Sequence, residues 1–576
     1  MNKTLKWIGV AIVALILILL IVPFLIPVNK FRPTIEAKAS EALGRKVQLG
    51  DLSLSILGGS LGIDNLSVSD DPKFSSSPFL TAKKVKVGVE LIPLIFSQQL
   101  NVTEITVEEP QVTMLKDPSG RWNFSSIGGS NNSAPAQKAP AQAKPSSGGS
   151  SAQSVSIKEL TLENGQITLG NTNSKKRTVY NKVNLKASDV AMTNSFPITF
   201  SMEGPNGGTL KLDGKVGPVD PKDAAFTPQD VKLTVNNMNL AATGFLDPAL
   251  GLAGLVDIDA GLKSQGGKMA TKGKLTLTKA VLVQGGKPSS VPAIINFDTI
   301  YDLAAGSGVL NPSTLSIGNA KTNLGGTYKS VGDDFVVDMK INGQGLPATD
   351  LESFLPALGI NLPSGSKLTA GTLSTNLHVT GPTDKLVTDG NIGLYNGKLS
   401  GFDLGQKMSG VAALAGIKTG KDLDIEKLTS NVHMAPTGLK ADDLNLVVPT
   451  LGTVVGGGTL DSGNNLNFNA VATVSSAVVN NAAAGAMGGV SQALGAGSTN
   501  CKSGGLKVPF QIHGTASDPK FVPDVGGATA SLLKSQLSCG GGVEGIASGL
   551  AGGKTGNASD VVNQLGGLLG GKKKKP

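Results

Sequence analysis

Three histidines, His378, His433 and His513, are the side chains best suited to ligate a metal or relay a proton. Each stands in a separate strand-like segment with no second His or Cys at ligand spacing, so structural or exposed roles are expected and no metal site. Asp333-Asp334 and Asp442-Asp443 are adjacent acidic pairs. Neighbours along a strand point to opposite faces, which makes them poor candidates for sharing a proton. Gly456-Gly457-Gly458 follows a strand-like run but lacks the Lys and the helix of a phosphate loop. No Gly-x-Ser-x-Gly, P-loop or Cys-x-x-Cys occurs either. The expectation is a chain without a catalytic site, metal or cofactor. Cys501 and Cys539 are the two cysteines. An oxidising compartment permits a bridge between them; two buried free thiols are the alternative, and spacing does not decide between the two.

The composition points the same way. Of 576 residues, 16% are charged and 4% aromatic, while Gly numbers 76. Few charges with abundant Gly and aliphatic residues suit short strands joined by tight turns. Scarce aromatics argue against single-stranded nucleic acid and against sugar recognition by ring stacking. The net charge of +9 is spread thinly, and its one dense run is Lys572 to Lys575. Such a run is a solvated end, with weak attraction to acidic lipid headgroups as its functional reading. No nucleic-acid partner is expected.

The elements that must carry any function begin with an anchor. Trp7 to Val28 is a run of 22 uncharged, almost wholly apolar residues. At 1.5 Å per residue this is roughly 33 Å, about one hydrocarbon core. Lys3 and Lys6 precede it, Lys30 and Arg32 follow, and no clear small-x-small cleavage site comes after Val28. The reading is an uncleaved transmembrane helix with a cytoplasmic N-terminus and an exported remainder. Phe31 to Leu43 reads as a short amphipathic helix, with Pro33 in its first turn and Gly44 just past its end.

After Gly44 the hydrophobic period becomes two. Leu52, Leu54 and Ile56 alternate with polar residues; Ile63, Leu66 and Val68 follow with one irregularity; Val85, Val87 and Val89 alternate again; Val102, Ile105 and Val107 do so with one slip. Residues 128 to 153, rich in Gly, Ser, Pro, Ala and Gln, read as a flexible linker. The strand pattern resumes at Val155. Leu160, Leu162, Ile167 and Leu169 flank Asn164-Gly165, and Leu394 and Leu399 flank Asn396-Gly397; both dipeptides predict two-residue hairpin turns. Leu275 and Leu277 continue the alternation. Short helices are expected near Thr349 to Leu358, Met408 to Ile417 and Ala477 to Leu494, and weak helical patches over Ala528 to Leu537 and Ala558 to Leu569. The predicted organisation is an anchor with a cytoplasmic stub (1–28), an N-terminal β module (29–127), the linker (128–153), a central β body (154–395), a C-terminal β region (396–523) and a Gly-rich, partly helical tail with a Lys end (524–576). The fold class is mainly β and antiparallel, with one N-terminal transmembrane helix and a few short helices.

Several local patterns, in this order along the chain, resemble the AsmA-like family. They are the anchor and short helix, then Gly44-Arg45-Lys46-Val47, the strands around Gly62 to Val68, Leu91-Ile92-Pro93-Leu94 with Leu100-Asn101-Val102, Glu109-Pro110-Gln111-Val112, and the turn Asp117 to Phe124. Near the other end, Gly401-Phe402-Asp403-Leu404, Val508 to Thr515 and Asp518-Pro519-Lys520-Phe521 match the family's closing strands. The resemblance implies a protein of the bacterial inner membrane, single-pass, with the bulk of the chain in the periplasm. It implies an elongated, curved β-groove with an apolar inner wall, resembling bridge-like lipid transfer proteins. Its implied role is outer-membrane assembly and phospholipid movement, with membrane phospholipids and other envelope proteins as partners.

On residues alone, alternating strands bury their apolar side either against a second sheet or against a ligand. An aliphatic, aromatic-poor face suits acyl chains, which need area but no hydrogen bonds. The residues expected to face inward are Leu160, Leu162, Ile167, Leu169, Leu275, Leu277, Leu394 and Leu399. A sandwich core filled by those same residues is the rival reading, and with it a structural or scaffolding envelope protein.

Overall fold

The computed structural model describes residues 28–55, 58–90, 102–127, 156–191, 193–220, 223–332, 334–403, 420–474 and 506–524. The chain is mainly β, with 25 strands and few helices among these residues. They cluster into two compact units. The first comprises Met1–Ala280, Ile294–Ser313 and Lys329–Asp333, and the second Val281–Ala293, Thr314–Tyr328 and Asp334–Pro576.

The first unit opens with helix α1 (Arg32–Leu43), as the sequence predicts: Pro33 sits in its first turn and Gly44 takes a left-handed conformation at its end. Ile35, Ala39 and Leu43 form a narrow apolar stripe that packs on Val47, Leu49, Leu52 and Val68. Then come β1 (Val47–Gln48), β2 (Leu52–Ser55), β3 (Ser60–Ser69), β4 (Pro78–Val89), β5 (Val102–Glu108), β6 (Gln111–Lys116), β7 (Ser156–Asn171), β8 (Arg177–Ala191), β9 (Phe196–Glu203), β10 (Thr209–Val216), β11 (Gln229–Asn239), β12 (Ala253–Gln265) and β13 (Lys268–Val281). Residues of β14 (Ala293–Asp302), β15 (Ser307–Ile317) and β16 (Ala320–Val331) are divided between the units.

The second unit holds β17 (Asp334–Pro347), helix α2 (Ala348–Glu352), β18 (Lys367–Pro382), β19 (Val387–Ser400), β20 (Leu423–Ala435), β21 (Gly438–Val448), β22 (Gly452–Asp461), β23 (Leu466–Val474), β24 (Leu506–Thr515) and β25 (Asp518–Pro523). The helix expected near Thr349 to Leu358 is present as α2 plus a 3₁₀ turn, Leu355–Leu358, with Pro356 in the turn's first residues. The other expected helices, the apolar run up to Pro27, the linker 128–153, both cysteines and the Lys tail lie outside the described residues. Among the described residues no helix is long and apolar enough to cross a membrane.

Two expectations need correcting. The described ladders are antiparallel except at one junction, where β7 runs parallel to both β5 and β6. Each pair there joins residues 55 positions apart: Glu104–Glu108 with Glu159–Glu163, and Gln111–Lys116 with Gln166–Asn171. The two segments, Glu104 to Leu115 and Glu159 to Gly170, carry identical or like residue types at nine of twelve positions, the exceptions being Glu109/Asn164, Pro110/Gly165 and Leu115/Gly170.

Asn164-Gly165 and Asn396-Gly397 are not hairpin turns, because β7 and β19 run straight through them. Both are β-bulges. Asn164 and Asn396 adopt positive φ, 50° each, and the ladder registers shift beside them. A bulge adds one unpaired residue and so switches which parity faces inward. That is why Leu160 and Leu162 give way to Ile167 and Leu169 while all four keep to one side. Parity also switches between Ile63 and Leu66, where Asn65 has φ 48°, but β4 switches with it and the register is unchanged across that point. Bulges with a register shift recur at Lys182 in β8, Asn237 in β11 and Asp443 in β21. Side chains satisfy the amides that bulging frees. Asn164 N–H donates to Asn184 Oδ1 at 2.9 Å, and Asn237 N–H to Asp257 Oδ1 at 2.7 Å.

Candidate functional site

The registers of the first unit place apolar residues side by side across ten strands. One row runs Leu52, Ile63, Val85, Val107, Leu162, Leu185, Phe200, Leu212, Leu233, Ala260, from β2 to β12 with β6 left out. The row beside it runs Leu54, Leu61, Val87, Ile105, Leu160, Ala187, Ile198, Gly214, Val231, Leu262. With strands about 4.8 Å apart, nine spacings make an aliphatic band of roughly 43 Å.

The opposite side of the same strands is polar. Lys86, Thr106, Thr161, Lys186, Thr199, Asp213 and Lys232 form the row between the two apolar ones. Exposed ion pairs lace it: Lys186 to Glu159 at 2.9 Å, Lys182 to Glu203 at 2.7 Å, Lys232 to Asp259 at 2.9 Å. Hydrogen bonding to the Lys186 ammonium, aided by the Thr161 hydroxyl, holds the Glu159 carboxyl below its ordinary value. These contacts are worth little singly. Their consequence is orientation, because the charged face commits the aliphatic face to the other side.

On that aliphatic side, Leu162, Leu185, Phe200, Leu212 and Leu233 are half-buried on five consecutive strands, β7 to β11. Cross-strand neighbours cover their flanks. A second layer packed on top would make them fully buried, as core residues are.

Six of the eight residues expected to face inward belong to the first unit. Leu160 and Leu162 stand in the two rows above. Ile167 and Leu169 continue the same face past the bulge, beside Val112 and Met114 on β6 and Tyr180 and Thr178 on β8. Leu169 is buried and the other three are half-buried. Leu275 and Leu277 are half-buried on β13, and Leu277 lies against Gly254 of β12, where an added Cβ would stand 2.6 Å from its Cδ1. Leu394 and Leu399 belong to the second unit and to a filled cluster that includes Leu368, Phe402, Leu423, Val448 and Leu451. Leu212 and Leu233 continue the strand alternation in the sequence but are not among the eight residues expected to face inward, and Phe200 is not singled out there; only the registers show that all three share a row with Leu162.

At one end of the first unit a buried polar cluster joins three segments that the sequence singled out. The Arg45 guanidinium, 7% exposed, lies 3.5 Å from the fully buried Asp70 carboxylate and donates to the Asn123 carbonyl at 2.8 Å. Asn123 Nδ2 donates to Asp70 Oδ2 and to the Thr113 carbonyl, 2.8 Å each, and its Oδ1 accepts from Leu115 N–H. Burial pushes the Asp70 carboxyl up, opposed by the Asn123 amide and the Arg45 charge. The cluster pins α1 and the turn at Asp117 to β3 and β6, closing that end of the face.

The histidines occupy the polar side. His378 Nε2 is 2.7 Å from Asp338 Oδ1, His433 Nδ1 is 2.6 Å from Asp389 Oδ1, and His513 Nε2 is 3.0 Å from Gln511 Oε1; the first two histidines are exposed and His513 is half-buried. Among the described residues no group of three or more His, Cys, Asp or Glu is placed to hold a metal ion.

Fold and face together define a class: a β-sheet protein with one charged side and one aliphatic side. The model of the AsmA family matches residues 1–247, and over that stretch the chain is AsmA-like. The matched residues span β1 to β11 and include α1, the buried cluster and both parallel pairings. No curated protein and no solved structure matches the chain.

Proposed function

We propose that the chain is a non-catalytic lipid carrier of the bacterial envelope, and that the aliphatic face of its first unit is the wall of a groove for phospholipid acyl chains. The observation that carries this is the two-row band over ten strands, in which Leu162, Leu185, Phe200, Leu212 and Leu233 are half-buried on consecutive strands and the opposite side carries ion pairs. A bilayer's hydrocarbon core of about 30 Å holds two acyl layers, so a chain needs about 15 Å, and the band offers nearly three such lengths. Burial is worth about 0.8 kcal/mol per methylene. A chain lying on one wall recovers only part of that, and a wall without deep pockets gives it no reason to stop. Such a contact holds and slides.

The rest of the reading comes from the resemblance: anchorage in the inner membrane through Trp7 to Val28, a periplasmic body, and support of outer-membrane assembly with phospholipids and other envelope proteins as partners. The test is direct. The full chain, purified in mild detergent, is extracted and assayed for phospholipid by mass spectrometry, beside a Leu212→Glu variant. Copurifying lipid that falls severalfold in the variant is expected. Lipid-free wild-type protein, or equal lipid in both, defeats the reading. A non-catalytic scaffold is the second reading, favoured by the second unit, whose apolar residues seal against one another.

A further inference from the structure

The polar side of the second unit carries a cavity that the lipid reading does not use. It lies over β18 to β21 and has a volume of about 360 Å³. Its floor is Gly393, and the Tyr395 ring fills the place where a side chain would otherwise stand. A Cβ at Gly393 would lie 2.9 Å from Tyr395 Cε2 and 3.1 Å from Cζ. The ring therefore lies down over the sheet while 36% of the residue stays exposed.

The rim is built by register. Gly393 pairs with Thr429, and Asn391 with Asn431, on the adjacent strand β20. Asp443 is the positive-φ residue of the β21 bulge, and its Oδ2 accepts from Asn431 Nδ2 at 2.9 Å. Two amides, the hydroxyls of Ser374 and Thr429 and one carboxylate thus surround a tyrosine ring.

We propose that this cavity binds a pyranose unit of a glycan. Each of its parts answers a part of a sugar. Aromatics are scarce along the chain and argue against sugar stacking in general, but this one ring lies over Gly393 and presents an apolar surface to the C–H face of a pyranose. The amides of Asn391 and Asn431 and the Thr429 hydroxyl both donate and accept, as sugar hydroxyls require. The Asp443 carboxylate accepts from hydroxyls and disfavours acidic sugars. The volume lies within the range of small-ligand sites and suits one or two sugar rings. A second carboxylate placed for hydrolysis is lacking among the cavity residues, so the site binds without cleaving. The aliphatic rows of the neighbouring segments are on the other side of their strands, so the inference does not depend on lipid carriage. A free glycan and a glycolipid headgroup present the same sugar chemistry, and the test distinguishes the two sources.

The full chain in mild detergent is applied to an array of neutral, N-acetylated and acidic oligosaccharides, and to vesicles with and without a neutral glycolipid. Neutral or N-acetylated sugars are expected to be retained and acidic ones not. Tyr395→Ala is expected to weaken retention at least tenfold, and Asn431→Ala several-fold, while Lys340→Ala, on the same side but outside the cavity, leaves it unchanged. Binding to the array assigns a free glycan, and binding to glycolipid vesicles alone assigns a headgroup. Asn431→Ala serves as the deciding variant should circular dichroism show Tyr395→Ala misfolded. No retention of any sugar at millimolar concentration overturns the proposal, as does retention indifferent to Tyr395→Ala and Asn431→Ala.

Discussion

The two units use the same sheet grammar and end differently. In the second unit the registers line up Leu346, Leu373, Leu394, Leu428, Leu446, Val454, Ala472 and Val508 across eight strands, β17 to β24. Here five of the eight are buried, and Leu373, Leu428 and Leu446 are half-buried and packed against the same cluster. Ala348 of α2, Phe402 after β19 and Leu451 in the turn after β21 all join its cluster, and Ala472, Val508 and Leu451 are at most 2% exposed. In the first unit the corresponding rows keep five half-buried members in succession. Aliphatic alternation is therefore common to both and cannot by itself distinguish a sealed core from an open wall. What distinguishes them is whether the connecting segments bring apolar residues back over the face.

Charge placed on each row separates the two most sharply. Val508→Asp buries an unpaired carboxylate and is expected to cost several kcal/mol, enough to abolish cooperative folding of the second unit. Leu212→Asp, on the half-buried row, is expected to leave both units folded. Chemical denaturation followed by circular dichroism reads both, and equal damage would erase the contrast.

Next in size is Arg45→Ala. It leaves the Asp70 carboxylate buried without its cation and is expected to destabilise the first unit by about 3–5 kcal/mol. Limited proteolysis of the full chain should then cut first near α1, while the second unit keeps its protection. A smaller effect tests the bulges that keep each face one-sided. Asn164→Ala forces a left-handed conformation on a residue that resists it, at about 1–2 kcal/mol, whereas Asn164→Gly is expected to be nearly neutral. Equal denaturation midpoints for the two variants would count against the bulge.

The smallest effect is a titration. The Asp117 carboxyl is held down to about 2, chiefly by the Ser119 hydroxyl and also by the Arg121 amide and guanidinium. Its folded value lies below its ordinary one, so its contribution is complete above that ordinary value and is lost as the pH falls through about 2. NMR titration of the Asp117 side chain checks this, and a midpoint near the ordinary carboxylate value would contradict the turn.

Much of this was legible in the sequence. Alternation located the strands, and Pro33 and Gly44 bounded α1. The two Asn-Gly dipeptides misled because hairpins and bulges both need positive φ, and local composition is the same for either. The hint lay in parity. A one-residue slip in the apolar period is what a bulge writes. The parallel junction was hidden because its partners are separated by the linker, although the likeness of Glu104–Leu115 to Glu159–Gly170 was a readable sign. Which faces are covered was not legible, since Phe402 and Leu451 reach Leu394 from loops whose paths no periodicity encodes.

The parity switch has a genetic corollary. Along β7, losing the single codon for Asn164 would turn Ile167 and Leu169 toward the charged side and bring Gln166 and Thr168 inward. Most one-letter changes on this face touch a single neighbour, whereas that deletion inverts the remainder of a strand. Single-residue deletions at Asn164, Lys182, Asn237, Asn396 and Asp443 should therefore be far less tolerated than substitutions at the same five places.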